Sequence, residues 1–181
     1  MKKNFSPQFL IVTIMILLAA FSRLLTNKFE IWNFTPIIAM ALFSGAEIRD
    51  KRLAFVIPLI AMLITDVFLG FYPGIAVVYG ALMLITCLGF LLQNRVNVVT
   101  VILGSLGSSV IFFLVTNFAL VYPTVMYPHN LQGVIESYAQ ALKFYRDNNF
   151  SALYGDLIYS GILFGSYELI FKKVLTPVKA V

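Results

Sequence analysis

The fold is decided by the stretch Leu53-Ala-Phe-Val-Ile-Pro-Leu-Ile-Ala-Met-Leu-Ile-Thr-Asp-Val-Phe-Leu-Gly70. It is apolar almost throughout and has nearly the length of a bilayer-spanning helix, for which about 20 residues are usual. One residue does not fit, because Asp66 lies near the C-terminal end of the stretch. A carboxylate at the centre of a transmembrane helix costs roughly 2.5–3.5 kcal/mol on insertion scales. Asp66 is therefore expected to have a partner or a function.

The composition of the whole chain also places it in a membrane. Of its 181 residues, 60% are hydrophobic and 12% are charged, and the mean hydropathy is +0.91. A soluble domain is typically about 45–50% apolar and about 25% charged. The length suits about six spans, so we expect one integral membrane domain over residues 1–181 and no soluble catalytic domain.

Several kinds of site are excluded by residues that are rare or absent. One cysteine cannot form an internal disulfide, and one histidine, His129, cannot build a multi-histidine metal centre. The sequence has no phosphate-binding P-loop motif, so the chain is not expected to hydrolyse ATP by that route. We expect no metal and no cofactor, and Cys87 is expected to be a small buried hydrophobic residue. The net charge of +5 is not taken as a sign of nucleic-acid binding.

The apolar segments predict an all-α protein, a bundle of six transmembrane helices. The expected spans are residues 9–25, 34–48, 53–70, 75–92, 98–121 and 150–171. The first also resembles a cleavable signal peptide, but the hydrophobic chain that follows it favours a retained span. In the long connection before the last span, apolar residues recur at helical spacing over about 131–146. This pattern predicts an amphipathic helix that lies on the membrane surface or caps the bundle.

The distribution of positive charge predicts the orientation. Six spans put both termini on one side of the membrane. Nine of the thirteen Lys and Arg residues lie on that side, at the termini and in the connections after the second and fourth expected spans. Lys and Arg are enriched on the cytoplasmic side of membrane proteins. We therefore expect a multi-pass membrane protein with both termini in the cytoplasm.

Polar residues on five of the six expected spans lie at a similar depth near the outer face. A rise of about 1.5 Å per helical residue places Asp66 about one turn from the outer end of its span. The Asn33-Phe34-Thr35-Pro36 segment is also typical of a helix start, at which an Asn or Thr side chain caps free amide groups. The candidate solute-binding residues are Arg23, Asn33, Thr35, Asp66, Asn117, Asp156 and, from the outer loop, Tyr127.

Two interpretations of these polar residues are open. In the structural one, Arg23 pairs with Asp66 or Asp156 and only fastens helices together. In the functional one, the polar residues line an outward-facing pocket for a solute. Two carboxylates against one arginine leave a negative excess, which a cationic or hydrogen-bond-rich solute would balance. One carboxylate could equally be protonated.

The order of short motifs resembles a family of small, uncharacterised bacterial membrane proteins. The resemblance covers nearly the whole chain. The motifs are Asn33-Phe34-Thr35-Pro36, Asp66-x-x-x-Gly70, Thr116-Asn117-Phe118, Met126-Tyr127-Pro128 and Gly155-Asp156. More distantly, the layout is similar to the S components of energy-coupling factor (ECF) vitamin transporters, which bind a vitamin or metal ion at the outer side of six helices.

This resemblance implies a multi-pass subunit of a bacterial cytoplasmic membrane that captures a small, vitamin-like solute from outside. It also implies partners, namely an ECF-type coupling subunit and ATPases that supply energy, in addition to the lipid bilayer. S components commonly carry an Ala-x-x-x-Ala surface on their first helix for docking, and here that helix has only Ala19-Ala20. The alternatives are a non-transport scaffold subunit of a larger complex and, less favoured, an intramembrane enzyme built on Asp66 and Asp156. We expect a protein that is not an enzyme.

Overall fold

The computed structural model describes residues 6–31, 33–118 and 126–170. Over these ranges the protein is all helical, with seven α-helices and no strand. The helices are α1 (Pro7–Lys28), α2 (Ile37–Glu47), α3 (Lys51–Leu69), α4 (Ile75–Leu92), α5 (Val98–Thr116), α6 (Leu131–Asp147) and α7 (Ser151–Ile170). Helices α1, α3, α4 and α5 are long and apolar enough to cross a bilayer. By length and composition the chain is a multi-pass membrane protein.

Two of the six expected spans differ from the other four. Helix α2 has 11 residues, which at about 1.5 Å each give roughly 16 Å, well short of an apolar bilayer core of about 30 Å. Helix α7 has 20 residues and sufficient length, but it is not one of the four apolar candidates. The count of six crossings therefore stays a prediction.

Short as it is, α2 is the centre of the bundle. It packs against α1, α3, α4, α5 and α7, and these five form a ring in the order α1, α3, α4, α5, α7. Residues Ile38 to Ala46 of α2 are all buried. A helix that is apolar on every side is expected to be enclosed by protein in this way.

Two glycines set the closest contact in the bundle, between α2 and α4. A Cβ atom on Gly45 would overlap the carbonyl oxygen of Thr86, and one on Gly89 would lie 2.5 Å from the carbonyl oxygen of Leu42. Small residues permit this approach of two helix backbones. By contrast, a Cβ on Gly161 would meet nothing within 4 Å, so this residue does not mark a tight helix contact.

Polar side chains complete the backbone hydrogen bonds that α2 and α3 lack. Pro58 has no N–H for the carbonyl oxygen of Ala54, and the Ser44 hydroxyl donates to that oxygen over 2.7 Å. At the end of α2, the Gln93 side-chain amide donates to the carbonyl oxygens of Gly45 and Ile48, at 2.9 and 3.2 Å. Such groups are expensive to leave unpaired inside a membrane.

Helix α6 is held on the bundle by its side chains. The Ser137 hydroxyl donates to the carbonyl oxygen of Asn117 at 2.9 Å, and the Tyr138 hydroxyl donates to that of Leu114 at 2.8 Å. The Phe113 ring of α5 packs against both Tyr138 and Tyr145. The helix therefore covers the end of α5.

One burial expectation is wrong. Cys87 is exposed on the surface of α4, whereas the sequence predicted that it is buried. Helix α4 is apolar on all sides, so periodicity did not show which face turns outward.

Candidate functional site

Asp66 is fully enclosed by three helices. Its side chain is 0% exposed, and one carboxylate oxygen forms an ion pair with Arg23 of α1. The Tyr79 hydroxyl of α4 donates to the other oxygen at 2.8 Å. Both oxygens of this intramembrane carboxylate are therefore satisfied, as its burial requires.

The same guanidinium nitrogen of Arg23 also reaches a second acceptor. Its Nη1 lies 3.1 Å from the hydroxyl oxygen of Thr65, which donates its own proton to the carbonyl oxygen of Met62 over 2.9 Å. Within the described residues, the other side-chain nitrogens of Arg23 make no hydrogen bond. Arg23 borders two small cavities of about 120 and 190 Å³.

Asp156 lies apart from this ion pair and has another partner. The Ser109 hydroxyl of α5 donates to its Oδ2 at 2.6 Å, and the residue is 4% exposed. Across the described chain, no hydrogen bond joins Asp156 to Asp66, so the two carboxylates do not form a shared-proton pair of the kind that an intramembrane aspartyl enzyme needs.

Four of the predicted residues meet at one cavity of about 190 Å³. Its polar lining comes from Arg23, Asn33, Thr35 and Asp156. Ile37, Ile38, Phe112, Tyr145 and Ala152 supply the rest of its wall. A small cavity with apolar walls and a few converging polar groups is the usual form of a small-molecule site, although such sites are commonly about 300–1,000 Å³.

The segment before α2 lines this cavity and does not cap the helix. Pro36 is the residue that precedes α2, and no side chain caps it, so the predicted capping by Asn33 or Thr35 is wrong. Asn33 adopts φ 60°, a left-handed conformation that asparagine tolerates better than most residues. Non-helical backbone at membrane depth is tolerated where it lines a cavity or is buried in protein.

Gly155 brings this segment against α7. A Cβ atom on Gly155 would lie 3.2 Å from the Cα of Phe34. The Phe34 ring packs on Tyr159 with centroids 5.4 Å apart, and the Tyr159 hydroxyl accepts a hydrogen bond from Ser22 of α1 at 3.0 Å. Helices α1 and α7 thus fix Phe34, the residue between Asn33 and Thr35.

The two remaining candidates lie elsewhere. Asn117 and Tyr127 line a separate cavity of about 480 Å³ between the end of α5 and helix α6. No described residue lines both this cavity and the smaller one. The structure thus divides the predicted residues into a paired core at Asp66, a small polar cavity and a second cavity under α6.

Three residues at the site were missed by the sequence analysis, namely Tyr79, Ser109 and Tyr145. Gly70 and Gly74 mark the two ends of the connection between α3 and α4. Asp66 lies four residues before Gly70 and Tyr79 five residues after Gly74, so both lie at a similar depth on adjacent helices, which was a usable signal for their contact. Ser109 lies within an expected apolar span, in which small residues commonly serve helix packing, so its type alone did not indicate a partner for Asp156. Tyr145 lies on α6, where burial and then the nearby Asp156 carboxylate raise the pKa of its hydroxyl to about 12, so it stays neutral.

Comparison with known proteins identifies the family. The model of a family of unknown function, DUF6580, matches residues 3–179. The chain belongs to this family. No curated protein and no solved structure matches it. The family extends over all seven helices, so both cavities lie within its matched region.

Proposed function

We propose that this protein is a membrane-embedded subunit that binds a small solute in the cavity between Arg23 and Asp156. The observation that carries the proposal is the convergence of Arg23, Asn33, Thr35 and Asp156 on one cavity of about 190 Å³. These residues come from α1, the segment before α2, and α7. Intramembrane ionisable residues that face a cavity commonly mark solute pathways.

The shape of α2 supports the proposal. A helix of 11 residues cannot span the bilayer, and the chain before it is non-helical at the depth of Asp156. Broken helices of this kind build the solute sites of several transporter folds, because their free backbone ends face the cavity. The proposal keeps the predicted six crossings, with α2 and the non-helical segment before it together forming the second and α7 the sixth. It assigns an S-component-like subunit that takes its solute from the outer side of a bacterial cytoplasmic membrane. An ECF-type coupling subunit and ATPases are the partners that this assignment implies.

A second candidate function is a scaffold subunit without a solute. The observation in its favour is the closed contact of Arg23, Asp66 and Tyr79, in which both Asp66 oxygens are satisfied. A purely structural ion pair has this form. Asp156 favours the solute-binding function over this one, because its carboxylate lines a cavity and accepts a hydrogen bond from the described residues on one oxygen only.

The direct test is to identify small molecules that co-purify with the full-length protein, by mass spectrometry after denaturation. Ala152 lines the cavity, and Ala152→Leu fills part of it. Ala139 is exposed on α6, so Ala139→Leu adds the same volume away from the cavity. We expect wild type and Ala139→Leu to retain the same molecule and Ala152→Leu to lose it.

The scaffold candidate predicts a different result. It requires no retained small molecule in any of the three proteins, together with a stable protein partner that co-purifies with all of them. A molecule that is retained equally by Ala152→Leu and wild type would place the site elsewhere, for example in the cavity under α6.

A further inference from the structure

When Asp156 is ionised, the solute cavity carries a negative charge that no cation among the described lining residues balances. Among the described residues that line it, Arg23 is the one cationic side chain, and that side chain is already paired with Asp66. The Arg23–Asp66 pair is neutral as a unit. Asp156 is therefore the excess charge at this site.

One oxygen of Asp156 is available to a solute. Ser109 donates to Oδ2, and Oδ1 receives no hydrogen bond from the described part of the protein. Every deeply buried side-chain nitrogen or oxygen in that part has a partner, so Oδ1 is not sealed in the protein but borders the cavity that Asp156 lines. A carboxylate oxygen at this depth needs a donor.

The rest of the cavity wall is apolar or aromatic. Ile38 of α2, Phe112 of α5 and Tyr145 of α6 border it. Aromatic faces attract organic cations, and apolar walls suit a hydrocarbon body. A divalent metal fits less well, because the described residues contain no group of three His, Cys, Asp or Glu side chains, and hard cations take about six oxygen ligands.

We propose that the solute is a small organic monocation whose N–H group donates to Oδ1 of Asp156. Its apolar body lies against Phe112 and Tyr145, and the unpaired guanidinium nitrogens of Arg23 orient any acceptor atom that it carries. This inference rests on the proposed function and adds the charge class of the solute.

The test uses three probes of nearly equal shape, namely benzylamine, benzyl alcohol and benzoate, which are cationic, neutral and anionic at neutral pH. Binding to the purified full-length protein is measured by isothermal titration calorimetry. We expect benzylamine to bind about tenfold or more tightly than benzyl alcohol, since hydrogen bonds to charged groups are the stronger ones. We expect benzoate not to bind. The molecule that co-purifies with wild type is expected to be a cation.

Two variants separate the Asp156 contact from general electrostatics. Asp156→Asn removes the charge with little change of shape and is expected to abolish the preference for benzylamine. Asp147→Asn makes the same change at an exposed carboxylate and is expected to keep that preference. If Asp156→Asn does not fold, the comparison of the three probes on wild type still decides the charge class of the solute.

The two proposals fail in different ways. A co-purified solute that is neutral or anionic, or benzyl alcohol that binds as tightly as benzylamine, would overturn the charge class and leave the solute-binding function standing. A benzylamine preference that survives in Asp156→Asn would likewise overturn the assignment to Asp156. No retained molecule and no binding by any probe would overturn both proposals.

Discussion

Pro58 creates a missing hydrogen-bond donor that a neighbouring helix replaces. It leaves the buried carbonyl oxygen of Ala54 without its helical N–H, and the Ser44 hydroxyl donates to that oxygen at 2.7 Å. We expect Ser44→Ala to lower the free energy of unfolding by roughly 1–3 kcal/mol, because a buried acceptor is then unsatisfied. Detergent unfolding followed by far-ultraviolet circular dichroism measures this change.

The control uses another buried serine. Ser108 donates to the carbonyl oxygen of Gly104 at 2.7 Å, but that oxygen also accepts a helical N–H bond, so Ser108→Ala is expected to cost less than about 0.5 kcal/mol. In a Pro58→Ala background the backbone N–H is restored, and Ser44→Ala is expected to become nearly neutral. An unchanged cost in that background would show that Ser44 acts through packing.

At the same scale, the sequence predicted some contacts of the site and missed others. Because an unpaired carboxylate inside a membrane is energetically unfavourable, the sequence predicts that Asp66 has a partner. Arg23 was the cation expected at a similar depth. It does not predict Tyr79, because a tyrosine near the end of a span fits an interfacial aromatic belt equally well. Nor does it show which aspartate Arg23 meets, since α1 packs against both α3 and α7.

At the scale of single elements, the contact between α2 and α4 depends on Gly45. A methyl group there would overlap the Thr86 carbonyl oxygen, and backbone atoms cannot move aside as a flexible side chain can. We expect Gly45→Ala to destabilise the protein by roughly 1–3 kcal/mol, the range for overpacked sites. Detergent unfolding of the full-length protein measures this change.

Gly161 provides the matched comparison. It is helical, and an added Cβ would meet nothing within 4 Å, so Gly161→Ala is expected to be neutral or stabilising by up to about 1 kcal/mol through helix propensity. Equal destabilisation by both alanine substitutions would mean that the close approach of α2 to α4 does not set the cost at Gly45.

Helix α6 has an apolar strip that faces away from the bundle. Leu131, Ile135 and Leu142 are 75%, 60% and 59% exposed, while Gly133, Ser137 and Ala141 on another side are buried. Such an exposed strip beside a polar face is typical of a helix in the membrane interface. We predict that the strip contacts lipid.

Fluorescent labelling at two neighbouring positions tests this prediction. A probe on Ile135→Cys is expected to be quenched by nitroxide lipids, whereas one on Glu136→Cys is expected to be quenched by aqueous iodide. Both are made in a Cys87→Ala background, because Cys87 is exposed. Equal aqueous quenching at both positions would place the strip in water.

The bounds of α2 show why an element can be only partly predicted. The apolar run gave a helix over 34–48, and the structure has Ile37–Glu47. The same Asn, Thr and Pro residues fit either a capped helix start or a non-helical segment that lines a cavity. What decides between them is Gly155 on α7, which packs against Phe34 and is remote in sequence.

At the scale of the whole molecule, a short central helix inside a ring of longer ones explains where the small polar cavity of about 190 Å³ lies. Helix α2 ends at Glu47, where the Gln93 side-chain amide donates to the carbonyl oxygens of Gly45 and Ile48. Glu47 and Gln93 also line a cavity of about 600 Å³ at this end of the bundle. At its other end the ring continues beyond Ile37, and the space is filled by the polar segment at 33–36. The short length of α2 thus accounts for the small polar cavity at Asn33, Thr35 and Asp156, whereas Asp66 and Asn117 of the predicted layer lie outside that cavity.

The remaining prediction concerns how this bundle sits in the membrane. We expect the connection between α2 and α3 in the cytoplasm and α6 outside, because Arg49, Lys51 and Arg52 concentrate positive charge in that connection. In a Cys87→Ala background, an impermeant maleimide applied to intact cells should label Gln132→Cys of α6 and not Lys51→Cys. After the cells are broken open, both should react.

This experiment also tests whether α3, α4 and α5 each cross the membrane. Lys51 and Gln132 are separated by α3, α4 and α5, an odd number of spans, so they must lie on opposite sides if each of these helices crosses. Labelling of Lys51→Cys alone in intact cells would show that the orientation is the inverse of the predicted one. The solute cavity would then lie on the cytoplasmic side, which contradicts capture from outside. Labelling of both would mean that one of the three helices does not cross, although all three are long and apolar enough to do so.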